Sequence, residues 1–93
     1  MKFNSETLKD PDGEKIEIRE INVKQRQEII KLSSSDTDSL EIDAHLLKMG
    51  VTQYKDLTID QIMEFPSSFF SKVAKKIMKL SALAGDEDAE KNS

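Results

Sequence analysis

Hydrophobic residues recur every three or four positions in one long segment, residues 65–85, with the sequence FPSSFFSKVAKKIMKLSALAG. This spacing places the apolar side chains on one side of an α-helix and four lysines on the opposite side. Pro66 suits the first turn of a helix, and Gly85 suits the position just after its last turn. The pattern therefore predicts a long amphipathic helix, against which the rest of the chain packs.

The apolar stripe of this helix has two alternative roles. It can form the core of a small domain while the lysines stay in solvent, or part of it can remain uncovered and bind a partner helix. The residues that we expect to contact a partner are five apolar residues of this segment and two lysines that could steer the encounter: Phe65, Phe69, Phe70, Val73, Ile77, Lys72 and Lys76. The sequence leaves both roles open for each of the five apolar residues.

A β-hairpin is predicted at the N-terminus. Residues 10–13, DPDG, have proline where a turn requires a φ of about −65° and glycine where the chain leaves the turn with a positive φ. Polar and apolar residues alternate in residues 15–19, and a weaker candidate strand spans residues 3–8. The hairpin is expected within residues 1–21.

A two-stranded hairpin is marginally stable by itself in water. We therefore expect Phe3, Ile16 and Ile18 to pack against the helices or against another copy of the protein. The edge strands of the hairpin offer a route to a homo-oligomer.

A short polar helix is predicted after the hairpin. Asn22 and Gln25 have the spacing of a capping box, in which each side chain bonds the backbone N–H of the other residue. The helix is expected to extend to about residue 32. Val23 and Ile30 share one face of it, and Ile29 lies beside them.

The central part of the chain predicts a loop and two more helices. Residues 33–39 contain no apolar side chain and are expected to form a flexible loop, whereas residues 40–49 have apolar positions at helical spacing. Gly50 is expected to end that helix in the left-handed conformation. Thr58 and Gln61 form a second capping box, which predicts a helix of one or two turns before Pro66.

Together these elements predict a mainly α-helical protein with a short N-terminal β-hairpin, a small α+β fold. Three to four helices are expected, the C-terminal one being the longest. One domain is expected over residues 1–85, divided into the hairpin (1–21) and the helices (22–85). The acidic residues 86–93 are expected to form a disordered tail.

Composition narrows the functional classes. The chain has no cysteine, which excludes disulfides and thiolate metal sites and agrees with a reducing compartment. Neither a signal peptide nor a run of apolar residues long enough to span a membrane is present in the sequence. We expect a soluble, cytoplasmic protein that does not bind membranes.

Charge is distributed in blocks. Residues 1–35 are balanced, residues 36–65 and 86–93 are acidic, and residues 66–85 carry four lysines and no acidic residue. One face of four lysines is too small a footprint for a nucleic-acid duplex, and the acidic blocks on both sides would repel phosphates. We therefore do not expect binding to nucleic acid.

No motif for catalysis or for a cofactor is found in the sequence. His45 is the only histidine, and the three glycines are too far apart to form a phosphate-binding loop. The acidic clusters near residues 10–14 and 36–43 lack the glycine and glutamate positions of a calcium loop. We expect a protein that is not an enzyme and that holds no metal or cofactor.

The C-terminal third suggests a family. The Phe65-Pro66 pair, the apolar stretch from residue 69 to residue 83, the finish SALAG and the ending EKNS resemble the last helix and tail of the tail assembly chaperones of long-tailed bacteriophages and prophages. The order of the preceding elements, including the segment KMGVTQYKDLT at residues 48–58, is similar to that family as well.

The resemblance implies a non-catalytic cytoplasmic protein that is absent from the finished virion. It would hold the long, largely helical tape measure protein soluble until tail tube subunits polymerise around it. Many members are made in two lengths by ribosomal frameshifting. Here the codons for residues 90–92 could contain a slippery heptamer, as could those for residues 74–76.

Two other functions remain open from the residues alone. The chain could be a small helical adaptor or regulator that binds a folded partner. It could also be a structural tail component that stays in the virion.

Overall fold

The computed structural model describes residues 2–82, which form a β-hairpin followed by four α-helices. The elements are strands β1 (Ser5–Lys9) and β2 (Lys15–Arg19) and helices α1 (Val23–Ser33), α2 (Ser39–Gly50), α3 (Ile59–Met63) and α4 (Ser67–Leu80), with a 3₁₀ helix (Thr52–Tyr54) between α2 and α3. The predicted small α+β fold is confirmed, and α4, with 14 residues, is the longest helix of the described part. The predictions for Gly85 and for residues 86–93 lie outside it.

The hairpin forms where the turn signal placed it. β1 and β2 are antiparallel, with Ser5 opposite Arg19 and Lys9 opposite Lys15. The Asp10 carboxylate accepts hydrogen bonds from the N–H groups of Asp12 and Glu14, both at 2.9 Å. Because Gly13 has a φ of 85°, the chain reverses there without the steric cost that a side chain would bring.

The core lies between the inner face of the hairpin and helices α2, α3 and α4. Ile16 and Ile18 of β2 are buried, as expected. Val51, directly after α2, forms an isolated bridge with Ile18 and so ties the hairpin to the helices. The largest fully buried side chains are Ile18, Leu46, Leu47, Val51, Ile62, Val73 and Ile77.

Phe3 is not part of the core of its own chain, and its packing against another copy of the protein stays a prediction. Its side chain is 39% exposed, and the Arg19 guanidinium lies 5.1 Å from the ring centroid. Phe3 precedes the first residue of β1. The ring is therefore stabilised by a cation–π contact at the surface.

Helix α1 opens with the predicted capping box, but its packed side is narrow. Asn22 accepts from the Gln25 N–H at 2.8 Å, and Gln25 accepts from the Asn22 N–H at 2.9 Å. Ile29 is buried, whereas Val23 and Ile30 are 77% and 57% exposed. Successive residues of a helix are rotated by about 100°. Because α1 packs against the core through Ile29, the side chains of Val23 and Ile30 lie in solvent.

Helix α4 ends at Leu80, earlier than predicted, and tertiary hydrogen bonds hold the residue that follows it. The Arg26 guanidinium donates to the Ser81 carbonyl oxygen at 2.7 Å, and Ser81 Oγ accepts from the Ile21 N–H at 3.0 Å. Ala82 then adopts a left-handed φ of 62°, the conformation expected for Gly85. Hydrogen-bond partners from distant parts of the chain hold this end of α4, and the spacing of apolar residues in the sequence does not indicate them.

The expectation for Gly50 is also wrong, and the structure gives another reason for a glycine there. Gly50 is the last residue of α2 and does not have a positive φ. A Cβ atom at this position would lie 2.7 Å from Ile77 Cδ1 and 2.9 Å from its Cγ1 and Cγ2. Gly50 thus allows α2 and α4 to approach each other closely.

We predict that Gly50→Ala destabilises the fold by about 1 kcal/mol, because overpacking costs about 1–3 kcal/mol and exceeds the gain in helix propensity. Denaturant unfolding of both proteins measures the difference. In an Ile77→Val background, which lacks the nearest atom, the cost should be smaller. A Gly50→Ala protein as stable as the parent would contradict the close packing.

Candidate partner-binding surface

A groove opens where the hairpin turn meets the N-terminal end of α4. It has a volume of about 290 Å³, and we call it the aromatic groove. Its lining comes from the turn, the 3₁₀ helix and the start of α4: Asp10, Pro11, Asp12, Tyr54, Leu57, Phe65, Pro66 and Phe69. Phe65 and Phe69 are both half-buried, so each presents part of its ring to solvent.

Three aromatic rings form one wall of the groove. The ring centroids of Tyr54 and Phe65 are 5.0 Å apart with an angle of 60° between the rings. Those of Phe65 and Phe69 are 6.1 Å apart at 53°. Tilted pairs at these distances are favourable arrangements of aromatic quadrupoles. The wall is therefore an ordered apolar surface rather than a set of independent side chains.

The segment that carries Tyr54 is fixed by hydrogen bonds from α2. Lys48, in the last turn of α2, donates through Nζ to the carbonyl oxygens of Lys55, at 3.0 Å, and Leu57. The Tyr54 N–H donates to the Val51 carbonyl at 3.0 Å, and the Leu57 N–H donates to the Tyr54 carbonyl at 3.1 Å. These bonds hold the short 3₁₀ helix against the core.

The two phenylalanines are positioned by the connection between α3 and α4. Thr58 and Gln61 form the predicted capping box at the start of α3. The Phe65 N–H donates to the Ile62 carbonyl at 3.1 Å, and Ile62 is fully buried. Pro66 follows as the N-cap of α4, so Phe65 lies before the helix and Phe69 lies in its first turn.

The electrostatics of the groove centre on Tyr54 and Asp10. Burial raises the pKa of the Tyr54 hydroxyl, and the negative charge of Asp10 raises it further. The exposed Asp12 lies on the same rim. Tyr54 is therefore neutral at ordinary pH, and the rim of the groove carries negative charge.

The structure divides the five apolar residues that were predicted to contact a partner into two groups. Phe65 and Phe69 lie in the aromatic groove. Phe70 is only 7% exposed, and Val73 and Ile77 are fully buried in the core. Phe70, Val73 and Ile77 occupy the centre of the apolar stripe, which α4 uses to pack against α2 and β2. In this fold only the border of the stripe is accessible to a partner.

The lysines of α4 form a second surface feature. Lys72, Lys75, Lys76 and Lys79 line a shallow concavity of about 260 Å³. Lys76 makes an ion pair with Glu6 of β1 at 2.9 Å, and both side chains are partly exposed, so the pair contributes little stability. Lys72, Lys75 and Lys79 are exposed.

Sequence reasoning missed part of the groove. The sequence assigns Tyr54 and Leu57 to no helix or strand and indicates only a turn for Asp10 and Pro11. The turn and the start of α4 are separated by about fifty residues, and no spacing rule brings them together. The sequence signal for the groove is limited to the cluster of Phe65, Pro66 and Phe69.

The groove can hold apolar side chains of a partner. Its volume is at the low end of the range of about 300–1,000 Å³ found for small-molecule sites, so it fits one or two side chains. Within residues 2–82, no group of three or more His, Cys, Asp or Glu side chains is arranged to hold a metal ion. His45 lies elsewhere, in a shallow depression with Glu28, Lys31 and Leu32.

None of the helices in the described part of the chain has the length and apolar character needed to cross a membrane. Comparison of the chain with family models, with curated proteins and with solved structures finds no match.

We predict that Tyr54, the only tyrosine, titrates above its ordinary pKa of 10.0. The raised pKa means that the neutral hydroxyl stabilises the fold below pH 10 and that this contribution is lost as the pH rises through the folded-state pKa. Alkaline titration followed by tyrosinate absorbance measures the midpoint.

Asp10→Asn is the matched variant, because it removes the charge but keeps an oxygen to accept from Asp12 and Glu14. The midpoint should fall and still remain above that of a free tyrosine, since burial is the larger cause. An unchanged midpoint would show that Asp10 does not act on Tyr54.

Proposed function

We propose that this protein is a non-catalytic tail assembly chaperone of a long-tailed phage or prophage. It binds the tape measure protein in the host cytoplasm and keeps it soluble until tail tube subunits polymerise around it. The proposal starts from the resemblance of residues 65–85 to that family. The observation that supports it in the fold is the aromatic groove, an ordered apolar surface left open at the start of α4.

The groove suits a client that exposes apolar helical stripes. A tape measure protein without its tube would present such stripes to water and would aggregate. Full burial of a phenylalanine contributes about 1.5–3 kcal/mol, so covering the remaining surface of Phe65 and Phe69 contributes a fraction of that. Each contact is weak, and many copies along one long client provide the total.

The lysines of α4 have a supporting role in this proposal. Lys72 and Lys76 line the separate concavity formed by the four lysines of α4, and Lys72 is exposed. Exposed charges steer the encounter with an acidic region of a client more than they increase affinity. Lys76 is held by Glu6 and has less freedom to contact a client.

We predict that Phe65→Ser combined with Phe69→Ser abolishes solubilisation of the tape measure protein encoded in the same gene cluster. The changes remove the apolar wall but leave Phe70, Val73 and Ile77 in the core. The measurement is the soluble fraction of the client on co-expression, which should fall to the level without chaperone. Circular dichroism checks that the variant is folded.

Val23→Ser is the matched control. Val23 is 77% exposed and lies beside Ser81, at the opposite end of α4 from the groove. This variant should keep the client soluble. If the folded double variant also keeps it soluble, the aromatic groove is not the client site.

The intact mass of all products translated from the native locus separates the proposed function from a simple adaptor. A chaperone made in two lengths gives a second, longer product that shares the N-terminal sequence. Detection of the protein in purified virions would instead identify a structural component.

A further inference from the structure

The two edges of the hairpin are not equivalent. The outer edge of β2 is covered, because Ile18 pairs with Val51 and the Glu17 N–H donates to Gln53 Oε1 at 3.1 Å. No strand within residues 2–82 pairs with the outer edge of β1. In this part of the chain, β1 is therefore the open side of the sheet.

The hydrogen bonds show which backbone groups point to this open side. The Glu20 N–H donates to the Asn4 carbonyl at 2.9 Å, and the Asp10 N–H donates to the Glu14 carbonyl at 2.8 Å. In an antiparallel ladder, hydrogen-bonded pairs alternate along the strand. The even-numbered residues of β1 therefore bond to β2, and the backbone groups of Ser5, Thr7 and Lys9 point outward.

We propose that β1 pairs through this edge with β1 of a second copy of the chain. The two strands run antiparallel about a two-fold axis at Thr7 and join the hairpins into a four-stranded sheet. In this register Ser5 faces Lys9, Thr7 faces Thr7, and Glu6 faces Leu8. The three pairs formed by Ser5, Thr7 and Lys9 each exchange two hydrogen bonds.

Charge disfavours three of the other registers that the outward groups allow. A shift of the two-fold axis to Glu6 would place two Glu6 carboxylates opposite each other. A shift to Leu8 would place Glu6 opposite Asp10, and a shift to Lys9 would pair two lysines. Like charges directly opposite each other destabilise a sheet. The register centred on Thr7 has no such pair within β1 and gains a favourable Thr–Thr pair.

In this register, apolar side chains of the two copies also come together on the inner face of the sheet. Leu8 lies opposite Ile16 in the hairpin and is only half-buried against the core. The register brings Leu8 of the second copy to a diagonal position, within reach of side-chain contact. Glu6 remains able to pair with Lys76, because both belong to the same copy.

Charge changes at Thr7 test the dimer and its register together. Sedimentation equilibrium of the full chain should show a monomer–dimer equilibrium. Thr7→Lys and Thr7→Glu should each raise the dissociation constant about tenfold, since each places like charges across the two-fold axis. An equimolar mixture of the two variants should form a heterodimer, because only this register places residue 7 opposite residue 7.

Thr52→Lys provides the matched control. Thr52 is exposed beside the covered edge of the hairpin, and the variant makes the same change in charge as Thr7→Lys. It should dimerise like the parent. The threonine side chains at both positions are exposed, and circular dichroism checks that all variants remain folded.

Hydrogen exchange gives a readout that is specific to the edge. The amides of Ser5, Thr7 and Lys9 should exchange more slowly as the protein concentration rises, while the Glu6 amide is protected throughout. A protein that stays monomeric at millimolar concentration overturns the proposal. So does a dimer that both variants at Thr7 leave intact, because its interface then lies elsewhere.

Discussion

The close packing of α2 against α4 is the constraint on which the rest of the fold depends. Gly50 has no side chain, so Ile77 fills the space beside it and the two helices meet closely. The chain then passes directly into Val51, which is fully buried and pairs with Ile18 of β2. One short stretch thus links both helices to the hairpin, and a marginal two-stranded sheet gains a helical layer to support it.

This packing divides the apolar stripe of α4. The centre of the stripe, with Val73 and Ile77, is buried in the core. Its border lies at the surface near the hairpin turn. Phe65 and Phe69 therefore have a different role from Phe70, although all three belong to one hydrophobic pattern. The groove is a consequence of where α4 meets the turn, and the hydrogen bonds from Lys48 to the carbonyls of Lys55 and Leu57 hold the segment that carries Tyr54.

Local interactions explain which parts of this fold could be predicted from the sequence. The turn at Asp10 and the capping boxes at Asn22 and Thr58 join residues no more than four positions apart, so their spacing alone identifies them. The end of α4 at Ser81 and the glycine at position 50 were mispredicted, since both depend on contacts between distant segments.

The same distinction applies to the candidate site. The apolar pattern made Phe65, Phe69, Phe70, Val73 and Ile77 equal candidates for the core and for a partner surface. Only the packed structure shows how many of these side chains the core requires. The fold of α2 and the 3₁₀ helix places Tyr54 in the groove beside Phe65. Its neighbours in the sequence give no indication of this role.

The division of phenylalanines between core and groove is tested most directly by fluorine NMR of protein labelled at its four phenylalanines. Each resonance is assigned by substitution, and the tape measure protein is then added. The resonances of Phe65 and Phe69 should shift on binding, while that of Phe70, which is 7% exposed, should not. A shift of Phe70 as large as theirs, or no shift of Phe65 and Phe69, would contradict binding through the aromatic groove.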